Sequence, residues 1–509
     1  MTKQPLAGLH RPVSPDALTC AGLATGFTLL YLSFLSRYYV FEGLARAMPI
    51  EAGRFRELFN ANHMLYGTVG WCFHGLLKML GVVQLSVHSL QQLDALLGAA
   101  GVGLFFLTLR RLDAPRITAA LWAAALGFFL GYWLWSIDAE NYIFSTFLLQ
   151  LNFFALVRYT RQRKGHPVLL GALHALAVMG HIVNGVFGVV VLWVIYRTHR
   201  RNWLRPALLY VAAVAVLTLG AYALTLAVIV RPQTMDEARR WFMGSAGRTD
   251  GAWNWRGGYG WTKLGQWLTS SLNVICSFKS GYQNPPPWPL AGLWQWIARL
   301  MLAGFAAAAL WNRRRIWRES GTELGACLLW VGAYACVFLS WEPHMLMYHV
   351  TNTVPFCVIL YLSSRAMRLP APRQYAAAGV FTLSLGLANF SAEVLPRSYR
   401  ENNPALMAMD FIRNHTEDRA WIATDLDLDQ LYIPFFARRR PLLLGRYGGS
   451  SGHERLSGEL DRLLQDGQRL YLTSNVLAIE EWRRYFGGAQ LEVAARYEDG
   501  FTLYRLRGR

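Results

Sequence analysis

The sequence predicts a polytopic α-helical membrane protein that ends in a small α/β domain, and three observations carry this prediction. The 509 residues are 54% hydrophobic and 14% aromatic, well above the composition of a soluble domain. Apolar stretches of about 20 residues, each long enough to cross a bilayer, recur between short clusters of arginine. After residue 396 the composition becomes that of a soluble protein. The net charge of +19 is therefore assigned to membrane-flanking loops and does not indicate nucleic-acid binding.

Clusters of basic residues set the predicted topology, because arginine and lysine concentrate in cytoplasmic loops. Five clusters occur, at residues 110–116, 158–164, 197–205, 313–318 and 365–373. The apolar sequence predicts about 11 transmembrane helices around them. These predicted spans are 18–40, 88–109, 117–136, 140–157, 167–180, 182–196, 206–230, 289–311, 322–341, 346–364 and 375–392. The first span lacks a small-residue cleavage site, so we expect it to remain uncleaved.

This topology predicts a multi-pass protein of the bacterial cytoplasmic (inner) membrane, with its N-terminus in the cytoplasm. Residues 1–396 form the predicted transmembrane domain, with outer loops at 41–61 and 231–288. A helix over 62–81 is expected to lie at the membrane interface. Residues 397–509 form the predicted extracytoplasmic domain.

The C-terminal domain shows alternating strand and helix patterns typical of an α/β fold. Strands are predicted within 421–426, 441–445, 469–475, 491–497 and 501–506, and helices over 454–467 and 479–487. The motif DLDLD at 425–429 could be a metal-binding pair of acids. Acidic residues are also common at helix N-termini, and this second interpretation is favoured.

Two carboxylates, Asp138 and Glu140, stand between long apolar runs on the predicted outer face. They are candidates for catalysis, since acids at such positions are costly to retain without a role. A simpler alternative is that they cap the helix that follows, where negative charge is stabilising. Glu42, just after the first span, also has two interpretations: a catalytic carboxylate or a solvated residue at a span end.

The order of these features resembles the GT-C superfamily of integral-membrane glycosyltransferases, which includes the protein O-mannosyltransferases and the lipid A aminoarabinose transferase. An acidic residue follows span 1, a His-containing turn at His63 leads into an amphipathic helix, and a short outer loop with an acidic-x-x-x-Tyr-like motif comes before span 4. The resemblance covers residues 17 to 395. It implies a GT-C-like fold and transfer of a sugar from a lipid-linked donor.

The resemblance also implies roles for individual residues. Glu42 stands where GT-C enzymes keep a catalytic carboxylate, and His63 stands where their His-Pro-Pro turn begins. The chain departs from the pattern in having Glu rather than Asp at position 42 and Met64 where proline is common.

The chemistry of sugar transfer from a polyprenyl phosphate supports the same assignment, because it needs a base for the acceptor hydroxyl and cations for the departing phosphate. The predicted catalytic carboxylates are Glu42, Asp138 and Glu140. Arginines of the outer loops are the candidate phosphate ligands: Arg54, Arg56, Arg231, Arg239, Arg240, Arg248 and Arg256. The predicted substrate-binding residues are Arg54, Arg56, His63, Tyr66, Tyr142, His181, Glu342, His344 and Tyr348.

The last of these residues have an alternative explanation. His181 with Asn184, and Glu342 with His344 and Tyr348, could be polar groups that satisfy one another inside a helix bundle.

The sequence therefore predicts a membrane glycosyltransferase that moves a sugar from a polyprenyl-phosphate donor to an extracytoplasmic glycan, lipid or protein acceptor. The sequence identifies no definite cofactor and leaves a divalent cation possible. The alternative function is a polytopic transporter or flippase of envelope lipids or glycans, in which the acids would serve proton coupling. A third is a scaffold without catalysis.

The topology is tested with single-cysteine variants in intact cells. Gln162→Cys should be shielded from a membrane-impermeant thiol reagent, whereas Asp250→Cys and Arg455→Cys should react, because only the latter two lie in predicted outer segments. Labelling at 162 without labelling at 455 would invert the orientation.

Overall fold

The computed structural model describes residues 14–162, 165–243, 260–277, 289–426, 428–497 and 500–508. The chain divides into two compact units. The first runs to Ser36 and resumes over Pro49–Ser398, and the second combines Arg37–Met48 with the residues from Tyr399 onward. The boundary near Pro49 falls inside the helix α2 (Phe41–Glu51), so part of the predicted outer loop 41–61 is helical.

Over its described residues, the first unit consists of helices and the loops that join them, and no strand occurs among these residues. Its helices are α1 (Pro15–Ser33), α3 (Tyr66–Met79), α4 (Ser86–Arg111), α5 (Arg116–Phe128), α6 (Leu130–Ser136), α7 (Asn141–Arg161), α8 (Pro167–Gly180), α9 (Gly188–His199), α10 (Leu204–Leu224), α11 (Met235–Met243), α12 (Trp261–Asn273), α13 (Ala291–Trp311), α14 (Arg313–Ser340), α15 (Thr353–Ala366), α16 (Ala371–Asn389) and α17 (Leu395–Ser398). Short 3₁₀ turns cover Phe55–Leu58, Ala61–His63, Ile182–Phe187 and Leu346–Asn352, and π-helical turns cover Thr225–Val230 and Phe390–Val394.

The multi-pass helical architecture predicted from the sequence is confirmed. Within the described ranges, eight helical segments are long and apolar enough to cross a membrane, and a ninth results if the bent pair α5 and α6 forms one span. The other two predicted spans correspond to α1, of 19 residues, and to α8, of 14 residues. The total of about 11 spans and the side that each loop faces stay predictions.

The bend between α5 and α6 occurs at Phe129. Phe129 leaves the helical conformation (φ −58°, ψ 132°), and the two helices meet at 68°. A break inside an apolar bundle requires new partners for the freed backbone groups. The Phe128 carbonyl accepts from Asn389 Nδ2 at 2.7 Å, and the Leu130 amide donates to the Ile275 carbonyl at 3.1 Å. The break is therefore satisfied internally.

Small residues on α4 let α6 approach it closely. A Cβ at Gly98 would lie 2.1 Å from Ser136 Oγ, and one at Gly101 would lie 2.1 Å from the Tyr132 hydroxyl. The Tyr132 hydroxyl donates to the Gly98 carbonyl at 2.9 Å. Close approach through glycine is the usual packing mode of membrane helices. It fixes the C-terminal end of α6 against α4.

The second unit contains a five-stranded sheet flanked by helices. Its elements after the α2 region are α18 (Pro404–His415), β1 (Trp421–Thr424), α19 (Asp429–Tyr432), β2 (Arg440–Leu443), α20 (Ser450–Gln465), β3 (Leu470–Thr473), α21 (Ser474–Ala478), α22 (Glu480–Tyr485), β4 (Gln490–Arg496) and β5 (Thr502–Gly508). The strand order is β2-β1-β3-β5-β4, with the first three strands parallel and the other pairs antiparallel. All five predicted strands are confirmed.

The core of this sheet is apolar and continuous with α20. Leu456 and Leu460, one helical turn apart, are fully buried against Leu470 and Leu472 of the central strand β3. Trp482 closes the same cluster and donates through Nε1 to Asp425 Oδ1 at 3.0 Å. Asp425, the first acid of DLDLD, therefore has a structural partner.

Candidate active site

Buried polar side chains meet where the N-terminal parts of α3 and α4 face the turn between α6 and α7. Asp94 of α4 and Tyr66 of α3 are both fully buried. The Tyr66 hydroxyl donates to Asp94 Oδ2 at 2.6 Å, and the backbone N–H of Glu140 donates to the same oxygen at 2.9 Å. Asp94 Oδ1 is buried with no hydrogen-bond partner among the described residues. One acceptor position in the cluster thus stays open.

Gln91 holds the α6–α7 turn in place. It lies one turn before Asp94 on α4 and is fully buried. Its amide Nε2 donates to the carbonyls of Ser36 and Ile137, at 2.7 and 3.3 Å. The Ser36 amide also donates to the Ile137 carbonyl at 3.0 Å. Because residues three apart on a helix share a face, Gln91 and Asp94 together anchor residues 137–140.

Asp138 lies inside this turn and is only 2% exposed. Its Oδ1 accepts from the Ala139 amide at 2.8 Å. Burial raises the pKa of Asp138 from 3.8 to about 7, although the Ala139 N–H and the positive charge of Arg397 oppose the shift. A carboxyl group with a pKa near neutrality can accept or release a proton at physiological pH.

Glu140 is also buried and occupies the N-cap position of α7, yet its side chain makes no capping hydrogen bond to that helix. The Asp138 bond goes to Ala139, which precedes α7. Neither acid therefore hydrogen-bonds to the first turn of α7 with its side chain, although both lie at the N-terminal end of that helix, where negative charge is stabilising.

The pKa of the Tyr66 hydroxyl reflects the negative charge of the neighbouring carboxylates. Burial raises its pKa well above 10, and the charges of Asp94, Glu140 and Asp138 raise it further. Tyr66 therefore stays protonated and acts as a hydrogen-bond donor. The structure brings this predicted binding residue together with two of the predicted catalytic acids.

A row of aromatic rings continues from this cluster. The rings of His63 and His181 lie 4.4 Å apart and nearly perpendicular, and Tyr142 lies 5.7 Å from His181 and 5.9 Å from Tyr348. His63 Nδ1 also hydrogen-bonds with the side-chain amide of Asn141. Four predicted binding residues thus form one continuous row.

The 341–348 segment ends that row. The Tyr348 hydroxyl accepts from Trp341 Nε1 at 3.0 Å and donates to Glu342 Oε2 at 3.4 Å. His344 takes part through its backbone carbonyl, which accepts from Ser270 Oγ at 3.0 Å. Glu342 and Tyr348 thus share one long hydrogen bond, and His344 contributes only its backbone.

The predicted phosphate-binding arginines lie on an exposed segment. Arg54 pairs with Glu57 at 2.9 Å, with both side chains about half exposed, and Arg56 Nη2 donates to the Arg231 carbonyl at 3.4 Å. The same segment is tied to α11, because Trp241 Nε1 donates to the Phe59 carbonyl at 2.9 Å. Among the other candidates, Arg239 and Arg240 are exposed on α11, whereas Arg248 and Arg256 lie outside the described residues.

The acids of the first outer segment take different places. Glu42 lies in the first turn of α2, within the second unit. Glu51 accepts from the Ser86 amide at 2.9 Å and so satisfies a backbone donor at the start of α4. Glu51 therefore has a structural role.

Asp94 was not predicted as a site residue from the sequence, because it lies inside a predicted span. The signal was present, since a single carboxylate within a 26-residue apolar helix is a functional candidate by default. No group of three or more His, Cys, Asp or Glu suited to a metal ion occurs among the described residues. In the DLDLD segment, Asp429 accepts from Thr424 Oγ1 at 2.6 Å, and residue 427 lies outside the described residues.

Comparison with known proteins identifies the fold. No protein-family profile and no curated protein sequence matches the chain. Two crystal structures of ArnT from Cupriavidus metallidurans, one bound to undecaprenyl phosphate and one in the apo state, have TM-scores of 0.62 at 13% identity, covering 96% of this chain and 97% of theirs. The Archaeoglobus fulgidus oligosaccharyltransferase, tethered to an acceptor peptide, has a TM-score of 0.52 at 11% identity, covering 95% of this chain and 74% of its own. The chain therefore has the fold of the GT-C glycosyltransferases.

Proposed function

We propose that this protein is a membrane glycosyltransferase that moves a sugar from a polyprenyl-phosphate donor to an extracytoplasmic acceptor. The observation that carries the proposal is the cluster of buried carboxylates Asp94, Asp138 and Glu140 within a GT-C fold. The likeness to ArnT, which binds undecaprenyl phosphate, supports the class of lipid carrier.

The cluster would meet the chemical requirements of the proposed reaction. Transfer requires a base for the acceptor hydroxyl, and Asp138, with a pKa of about 7, has the right basicity for that step. Glu140 would bind the same acceptor, while Tyr66 and Asp94 position the Glu140 backbone. Glu42 is proposed as a further catalytic acid on the resemblance in sequence alone.

The remaining groups would hold the donor and acceptor. Exposed Arg54 and Arg56 would meet the lipid phosphate, since guanidinium groups bind phosphate oxygens in pairs. The row from His63 to Tyr348 offers aromatic edges and faces on which a sugar ring can lie.

The proposal is tested by incubating the purified protein with a panel of radiolabelled polyprenyl-phosphate sugars and a membrane extract of acceptors. For at least one donor of the panel, the radiolabelled sugar should be released from the lipid. Retention of label on every donor, by protein that remains folded, would favour the transporter alternative.

The pH dependence of transfer tests the role of Asp138. Only its deprotonated form accepts a proton, so kcat/KM should fall roughly tenfold per unit as the pH drops below about 7. Asp138→Asn should lower kcat/KM at least tenfold, about 1.4 kcal/mol, and remove this limb of the profile.

The matched control for that variant is Asp113→Asn. Asp113 is 74% exposed and has a positive φ of 63°, which asparagine also tolerates. Its activity and pH profile should be unchanged. An Asp138→Asn enzyme that keeps the acid limb would show that another group titrates.

Replacement of Glu42 distinguishes its contribution from that of the buried carboxylate cluster. Glu42→Gln keeps the shape and removes the charge, so it should abolish transfer while membrane insertion is retained, as measured by the label-release assay and by extraction of folded protein. Near-full activity of Glu42→Gln would leave the buried cluster as the source of the base.

Replacement of Arg54 or Arg56 by Gln should raise the KM for the donor more than the KM for the acceptor, because these exposed side chains would hold the lipid phosphate. Lysine should rescue only in part, since it lacks the planar two-pronged donor. Arg373→Gln, an exposed arginine at the start of α16, is the control. An unchanged donor KM in both variants would exclude them from this role.

A further inference from the structure

A cavity of about 350 Å³ lies at the far end of α7 from the carboxylate cluster. It is open on one side and is bordered by the last turn of α7, the start of α8, the end of α9 and the start of α10, and its lining includes Tyr159, His166, His199 and Arg205. Tyr159 is 18 residues beyond Asn141 on the same helix, so about 27 Å separates the two places. The cavity is therefore distinct from the candidate active site.

Hydrogen bonds hold the polar side chains of the cavity wall in place. The Tyr159 hydroxyl and His199 Nε2 hydrogen-bond at 2.6 Å, and the tyrosine is buried. The His166 Nδ1 accepts from the Val168 amide at 3.2 Å, which leaves its Nε2 edge to the exposed side. Arg205, in the first turn of α10, is exposed. These groups are hydrogen-bond donors and a fixed positive charge.

The chain segments that line the cavity carry charge of one sign, although Arg161 at the end of α7 pairs with Glu323 of α14 at 2.6 Å. No aspartate or glutamate occurs between residues 141 and 235 of the sequence. The arginines and lysines of this stretch that precede residue 206 are Arg158, Arg161, Arg163, Lys164, Arg197, Arg200, Arg201 and Arg205. Such a surface attracts anions, and phosphate in particular.

The opposite wall of the cavity is apolar and continues along the exposed apolar surface of α10. Pro206 and Leu209 line the cavity, and Leu208 beside them is 67% exposed. Only 17% of the most apolar window of Leu204–Val230 is buried. An acyl chain can therefore lie along α10 while its headgroup enters the cavity.

We propose that this cavity binds the headgroup of an anionic phospholipid of the surrounding bilayer. The phosphodiester meets Arg205 and the two histidines, and the acyl chains follow the exposed leucines of α10. The apolar wall favours a lipid over a free phosphate ion, which would gain nothing from it.

The test compares lipid binding to the purified full-length protein by native mass spectrometry, with phosphatidylglycerol and phosphatidylcholine of identical chains. Phosphatidylglycerol should be retained several-fold more, and added salt should reduce the difference. Arg205→Gln should lower phosphatidylglycerol retention about fivefold, the effect expected of one arginine beside an anionic headgroup. Arg205→Lys should restore most of it.

The control variant is Arg314→Gln, an exposed arginine at the start of α14 that does not line the cavity. It should bind phosphatidylglycerol as the unmodified protein does. If Arg205→Gln does not yield folded protein, His166→Asn, which changes a residue of the cavity lining and keeps a side chain able to cap α8, replaces it with the same direction of change.

Three outcomes would overturn the proposal. They are equal retention of the two lipids, equal loss in the Arg205→Gln and Arg314→Gln variants, and displacement of phosphatidylglycerol by millimolar inorganic phosphate or by undecaprenyl phosphate at equal concentration. The last would assign the cavity to a free anion or to the carrier lipid.

Discussion

The buried carboxylate of Asp94 is the group on which this region of the first unit depends. An ionisable group removed from water is costly unless hydrogen bonds compensate it, and the compensation here comes from two other elements. Tyr66 must arrive from α3 and the Glu140 amide from the start of α7. The requirement to satisfy one side chain thus fixes three parts of the chain together. It also places Asp138, two residues from Glu140, in surroundings that bring its pKa near neutrality.

The helix break at Phe129 allows the turn between α6 and α7 to lie beside Asp94. A straight helix through residues 116–136 would leave its end elsewhere, whereas the 68° bend directs α6 along α4. The glycines of α4 then admit α6 at close range. The cost of the break is covered by Asn389 and by the backbone near Ile275. Sequence-distant segments therefore stabilise the turn that carries the acids.

Much of the architecture could be predicted from the sequence, because hydropathy and basic clusters depend on local composition. All five strands of the second unit followed from alternating patterns in the same way. The candidate site was harder to predict. Asp138, Glu140, Tyr66 and His63 stood out as polar residues near span ends, but Asp94 was hidden inside a span.

Long-range pairing explains the remaining differences. Whether Glu51 binds substrate or satisfies the start of α4 depends on Ser86, which is 35 residues away. The helix α2 within the expected loop 41–61 includes Pro49, a residue that weakens any local helix prediction. Gln91 shows no pattern in sequence that would reveal the two carbonyls it holds.

The excess of carboxylates over cations in the buried cluster bears on how a reaction there would end. Arg397, the cation that acts on Asp138, is itself paired with Glu393 at 3.3 Å. When a sugar leaves its carrier, the lipid changes from a phosphodiester of one negative charge to a monoester of roughly −1.5 to −2. On the proposed reaction Asp138 takes the acceptor proton and becomes neutral, so the negative charge that remains beside the product is that of Glu140. This charge repels the spent carrier more strongly than the loaded one, and the electrostatics of the site therefore favour departure of the product.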